Sequence, residues 1–197
     1  MTTLYLVRHC EPNYHNHDDE SRELTQKGLQ DSKYLVDYFK DKSISAIYSS
    51  PYKRCLDTIF ETSYSLDIPI IKIDNLKERK IDTVWIDNFN AFARKQWEDF
   101  DFKLDNGESL HHVQKRFSNA INDIIKKNAN KNCIVSSHGT AISTFINLIN
   151  PNFTYQEFNA IKSLMPFIVI CDFDDMFCKQ LTLYNIFTGE INELYSI

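Results

Sequence analysis

Thr3-Leu4-Tyr5-Leu6-Val7-Arg8-His9-Cys10-Glu11-Pro12 is the stretch from which the rest of this chain reads. Thr3 to Val7 are β-branched, aromatic or aliphatic, the composition of a short strand buried on both faces. Arg8, His9 and Glu11 follow at once, and Pro12 forces an extended or turning backbone that helps end the strand. A reactive polar cluster at the carboxyl end of an apolar strand is where open α/β sheets place their ligands. One ring nitrogen of His9 can act as a nucleophile, and the planar fork of Arg8 can hold an oxyanion.

Three further strand-end clusters lie downstream. Ser45 to Ser50 reads as a second strand, with Ser50 as cap and Pro51 in the first turn of a helix running to about Ser63. Arg54 falls in that first turn, where free N–H groups and the helix dipole attract anions. Ile68 to Ile73 reads as a third strand, followed by Leu76-Lys77-Glu78-Arg79. Asn132 to Ser137 reads as a fourth, followed by His138-Gly139-Thr140 and a helix from Ala141 to Ile149. Between these lie a helix from Thr25, its N-cap, to about Lys40, and a long one from Gly107-Glu108-Ser109 to about Lys127. Val113, Phe117, Ile121 and Ile124 form the core stripe of the long helix. Phe167–Phe173 and Leu181–Phe187 read as two last strands joined by a turn at Asp174-Asp175. Strands alternating with helices imply an α/β fold: a three-layer sandwich with a mostly parallel central sheet and helices on both faces.

Composition narrows the function. The 197 residues suffice for one compact domain, with 82–107, rich in aromatics such as Trp85, Phe89, Phe92 and Trp97, as a small cap or insertion. A net charge of −5 argues against a nucleic-acid or membrane-surface binder, so any anion site is a local cluster of cations. Four glycines, none clustered, cannot build a Walker loop or a dinucleotide fingerprint. Five cysteines with no C-x-x-C read as reduced thiols in a cytoplasmic protein. No signal peptide or membrane-length apolar run is visible. His15 and His17 form a His-x-His pair in a polar loop with no supporting carboxylate or cysteine cluster, so no metal site is expected.

Leu6-Val7-Arg8-His9-Cys10-Glu11 resembles the Leu-Val-Arg-His-Gly-Glu signature of the histidine phosphatase superfamily, which includes the phosphoglycerate mutases; Cys10 stands where the family has glycine. Ser49-Ser50-Pro51-Tyr52-Lys53-Arg54 resembles its Ser-Ser-Pro-x-x-Arg, Val135-Ser136-Ser137-His138-Gly139 its Val-x-Ser-His-Gly, and Leu24-Thr25-Gln26-Lys27-Gly28 its Leu-Thr-x-x-Gly. Gly107-Glu108-Ser109 and Arg116 also have counterparts. The resemblance implies a phosphoglycerate mutase-like fold and a phosphohistidine formed on His9. It implies that Arg8, Arg54 and His138 hold the phosphoryl group, and that Glu78 is the general acid. The loop with His15 and Asn16 would border the substrate. After Glu78 the family's Gly and Trp-Glu-Gly give way to Asp82, Thr83, Val84 and Trp85, which keeps Asp82 open as a substitute acid.

The chemistry suits phosphoryl transfer, in which charge spreads over three equatorial oxygens. Charge-assisted bonds of roughly 1.5–3 kcal/mol each from three donors supply several powers of ten in rate or binding. The expectation is a phosphomonoester hydrolase acting on a small phosphorylated metabolite, with no metal and no cofactor. The alternatives are a phosphoglycerate mutase, or a non-catalytic phosphate-binding protein of the same fold. Cys10 and Cys55 adjoin His9 and Arg54; the favoured reading is a small residue filling space, and the second reading is a low-pKa, oxidation-prone thiol beside the cations.

Overall fold

The computed structural model describes residues 1–83, 86 and 88–197. Val84 and Trp85, named above, lie outside the described residues. Seven strands form one sheet: β1 (Thr2–Arg8), β2 (Ile44–Ser49), β3 (Ile70–Lys72), β4 (Asn132–Ser137), β5 (Ile168–Asp174), β6 (Phe177–Tyr184) and β7 (Ile191–Ser196). Their order is β3-β2-β4-β1-β5-β6-β7. The first four run parallel, and β5, β6 and β7 extend the sheet antiparallel from β1. The helices are α1 (Gln26–Asp31), α2 (Lys33–Phe39), α3 (Lys53–Leu66), α4 (Phe89–Glu98), α5 (Leu110–Lys127), α6 (Gly139–Ile149) and α7 (Tyr155–Ile161).

Period-2 alternation on β1 divides the core in two, because successive side chains point to opposite faces. Leu4 and Leu6 join the larger cluster, with Val113, Phe117 and Ile121 of α5 and Ile142 and Phe145 of α6. Tyr5 and Val7 join Leu35 and Phe39 of α2 and Ile59 of α3 on the other face. The three-layer α/β expectation therefore holds, with helices on both faces of the sheet.

Several boundaries differ from the sequence reading. The first long helix is two, because the Ser32 hydroxyl donates to the Leu29 carbonyl and bends the backbone there. α3 starts two residues past Pro51, since Ser50 Oγ accepts from the Tyr52 N–H in a local turn rather than capping the helix. β3 is only three residues long, as an edge strand with β2 as its sole neighbour. β6 begins directly after the Asp175-Met176 turn, and β7 closes the antiparallel edge; the sequence reading did not assign β7. It also left α7 unassigned, although Thr154 and Glu157 form a complete capping box.

Gly28 earns its place by contact rather than by φ. A Cβ there would collide with the Glu11 carbonyl oxygen, which accepts the Thr25 N–H and pins the segment after His9 onto α1. Gly28→Ala should therefore destabilise the protein by about 1–3 kcal/mol, read as a lower urea midpoint at unchanged slope.

Candidate active site

β1 and β4 pair in parallel with Arg8 opposite Ser137, so both strands end at one level. His9 and His138 leave those ends side by side. The His9 N–H donates to the Ser137 carbonyl at 3.0 Å, and the two rings meet edge to face with centroids 5.3 Å apart. Both are buried. The pKa of His9 is held well below the ordinary histidine value, first by burial and then by Arg54 and Arg8. His9 is thus neutral at physiological pH. Its Nδ1 is 2.7 Å from the Cys10 carbonyl, an acceptor only, so the ring proton sits on Nδ1 and the lone pair on Nε2.

Arg8 is buried, and its Nη1 donates to the carbonyls of Lys162 (2.7 Å), Leu164 (3.0 Å) and Ile161 (3.4 Å). Its Nε has no hydrogen-bond partner among the described residues. Gly139 lets the guanidinium lie flat against the start of α6: a Cβ there would stand 3.0 Å from Arg8 Cζ. Arg54, also buried, donates from Nη1 to the Asp19 carbonyl at 2.6 Å, with its Nη2 3.5 Å from Asp19 Oδ1. His138 is fully enclosed; its Nε2 lies 2.8 Å from Ser50 Oγ and 3.4 Å from Cys55 Sγ.

Glu78 sits at the N-terminus of α6. Its carboxylate accepts from the backbone N–H groups of Arg79 (2.8 Å), Thr140 (3.1 Å) and Ala141 (3.2 Å). Arg116 braces that segment. It grips both oxygens of Glu108 at 2.8 Å and donates to the carbonyls of Asn75, Lys77 and Glu78. Burial pushes the Glu108 carboxyl up, but the Arg116 bonds outweigh it and leave the pKa lowered. Asp82 also lines the cavity, on its solvent side, and its pKa is lowered by the Thr83 N–H and by Asn106.

A cavity of about 610 Å³ opens at these strand ends, lined by Arg8, His9, Arg54, Glu78, Gly139 and Thr140. The loop after Pro12 contributes Tyr14, His17, Asp19 and Arg22 to the wall. His15 and Asn16, the residues expected to touch substrate, do not reach it. Asn16 is spent inside its own loop: its side-chain amide donates to Glu23, and its carbonyl accepts from Arg22 Nε. The His15 N–H is tied to Asn13. Sequence reasoning also passed over Arg79. It is buried beneath Phe89 and Phe92 of α4, with centroids 5.5 and 5.3 Å from its Cζ, and its Nη1 donates to Gln96 at 2.8 Å. Its Nε has no hydrogen-bond partner among the described residues, and Arg79 lines the cavity. Its place directly after Glu78 was the available signal.

The redox expectation for Cys10 and Cys55 is overturned. Both are fully buried, and burial pushes each thiol up to about 12, so neither carries the thiolate that oxidation needs. Among the described residues, no group of three or more His, Cys, Asp or Glu is placed to hold a metal ion. No helix among them is long and apolar enough to cross a membrane.

Comparison with known proteins agrees with the motifs. The model of the histidine phosphatase superfamily (branch 1) matches residues 4–185. Phosphoserine phosphatase 1 of Hydrogenobacter thermophilus is 26% identical over 150 residues, 70% of this chain and 71% of the relative. The metal-independent phosphoserine phosphatase of Arabidopsis thaliana is 27% identical over 154 residues, 71% of this chain and 65% of the relative. The structure of Entamoeba histolytica phosphoserine phosphatase in complex with 3-phosphoglyceric acid superposes with a TM-score of 0.72 at 25% identity, covering 88% of this chain and 91% of that one.

The buried histidines have a measurable consequence. The pKa values of His9 and His138 are both held well below 6.5, burial being the largest cause. In the unfolded chain both take up protons near pH 6.5, so below that pH the unfolded state binds more protons than the native one. Stability should therefore fall as pH drops from 7.5 to 5.5. The loss, measured by urea denaturation, should be smaller in His9→Gln.

Proposed function

The chain belongs to the histidine phosphatase superfamily, and on that premise we propose that it is a metal-independent phosphomonoester hydrolase working through a phosphohistidine on His9. The observation that carries this reading is the neutral His9 ring, its proton fixed on Nδ1 by the Cys10 carbonyl, among buried arginines at the end of a cavity. Nε2 attacks phosphorus, and the bond from phosphorus to the ester oxygen breaks. Glu78 enters the cycle in its protonated form, delivers that proton to the departing alkoxide and is left as the carboxylate. It then takes a proton from water, the water oxygen attacks phosphorus, the N–P bond breaks, and His9 returns to its neutral state. Arg8, Arg54 and His138 are assigned to the equatorial oxygens, where the two guanidinium charges match the charge spread in the transition state and the neutral His138 ring contributes an N–H.

Arg79 points to the substrate class. A buried guanidinium with donors to spare accepts an anion readily, and a carboxylate matches its fork. We assign Arg79 to an acidic group on the alcohol half of the substrate, and the 82–107 segment to a cap over it. Phosphoserine and 3-phosphoglycerate, the compounds in the relatives' names, are small phosphomonoesters with a carboxylate. The polar floor and the aromatic cover from Phe89 fit such a molecule.

The test is phosphate release from phosphoserine, 3-phosphoglycerate and p-nitrophenyl phosphate in chelator, with mutase activity assayed alongside. His9→Ala should lower kcat by at least about a thousandfold on all three. Glu78→Gln should cost about 10²–10⁴ on the two alkyl esters and much less on p-nitrophenyl phosphate, whose leaving group needs no proton. Arg79→Met should raise KM for the two acids and leave that for p-nitrophenyl phosphate nearly unchanged. Unaltered release by His9→Ala would remove the phosphohistidine reading, and 3-phosphoglycerate isomerisation without net phosphate release would make the protein a mutase.

A further inference from the structure

Arg8 is aimed from outside its own strand. Three main-chain carbonyls, of Ile161, Lys162 and Leu164, converge on its Nη1. Nη1 has only two hydrogens, so this nitrogen is consumed by positioning, and Nε and Nη2 are left for a ligand. The three carbonyls belong to the last residue of α7 and the turn that leads to β5, so the direction of the guanidinium follows the position of that turn.

The same turn is fastened to α4. Lys162 Nζ donates to Asn90 Oδ1, in the first turn of α4, at 2.6 Å. Further along the two helices, Trp97 stacks on Phe158 with centroids 5.3 Å apart, and Arg94 lies over the Tyr155 ring at 5.1 Å. Lys162 thus faces two ways. Its carbonyl makes the shortest of the bonds to Arg8, and its ammonium holds the helix that covers the cavity. Carbonyl and side chain belong to one residue, so the bond to Asn90 and the bond to Arg8 restrain the same turn from two sides.

We propose that Lys162 is a positioning residue that couples the seating of α4 over the cavity to the aim of Arg8. It rests on the assignment of Arg8 to the phosphoryl group, and adds that Asn90 influences phosphate affinity through Lys162 and Arg8. When α4 is drawn onto a bound substrate, Asn90 and Lys162 hold the turn in place and Arg8 is presented squarely. When the tie is cut, the turn relaxes and Arg8 binds phosphate less well.

The experiment is calorimetric titration of inorganic phosphate into wild type, Asn90→Ala, Lys162→Met, the double variant and Lys162→Arg. Thermal melts confirm that each is folded. Asn90→Ala and Lys162→Met should each weaken phosphate binding by roughly three- to tenfold, and the double variant should be no weaker than Lys162→Met. Lys162→Arg, which keeps a donor for Asn90, should restore affinity. In an Arg8→Lys background, where the fork that the carbonyls hold is gone, Asn90→Ala should have no further effect. Unchanged affinity in Asn90→Ala overturns the proposal, as do losses that multiply in the double variant, which would mean that the two side chains act on phosphate separately. Binding needs no turnover: phosphate binding without hydrolysis would remove the hydrolase reading and leave this proposal standing. Failure of wild type to bind phosphate would remove both.

Discussion

The register of β1 on β4 is the constraint on which the rest of the site depends. Parallel neighbours share a direction, so with Arg8 opposite Ser137 both strands run out at the same edge. The His9 N–H closes on the Ser137 carbonyl, and the two histidine rings end in contact. The register is held by burial on both faces, Leu4 and Leu6 on one and Tyr5 and Val7 on the other. A slip of one residue would turn each of these side chains into the opposite layer and carry His9 away from His138.

Around that pair the protein keeps positive charge without cancelling it. Arg8 is held at Nη1 by carbonyls, which orient the guanidinium and leave its charge in place. Among the described residues, Arg54's ion-pair partner is the half-exposed carboxylate of Asp19, 3.5 Å away. Burying cations in this way costs stability unless they are well bonded, and the backbone carbonyls are what make it tolerable. The return is a site whose field suits a dianion and keeps His9 unprotonated. The same burial that keeps both histidines neutral makes the native state disfavour acid, so a functional charge arrangement and a pH-dependent stability have one origin.

A second framework holds the carboxylate side. Arg116 binds three carbonyls around Glu78 and both oxygens of Glu108, so a residue that reads as a surface helix charge is a brace for the loop that carries Glu78. Arg79 and Gln96 continue it into α4, where Gln96 Nε2 also reaches the carbonyls of Phe102 and Glu108. The two frameworks meet at α6: Gly139 packs against Arg8, while Thr140 and Ala141 donate to Glu78. A shift in α6 would therefore disturb both arginine aim and carboxylate placement.

The sequence by itself determined the strands that carry the site and the residues at their ends. Apolar runs such as Thr3–Val7 and Asn132–Ser137 can be satisfied only inside a sheet, and the charged groups that follow them must emerge at its edge. Arg8, His9, Arg54 and His138 stood out as candidates for that reason and because their signatures stand in order along the chain; Glu78 stood out through the family resemblance alone. Tertiary structure alone decided which neighbours complete the site. In the loop after Pro12, Asn16 is turned inward by bonds to Glu23 and Arg22, and Tyr14, His17 and Asp19 face the cavity instead; no periodicity encodes that choice. Arg79 and Lys162 take their neighbours from α4, which is distant from Lys162 in sequence and reaches it only through packing. Cys10 and Cys55 lie beside the cations, as their positions imply, but their reactivity follows burial, and burial is a property of the folded chain.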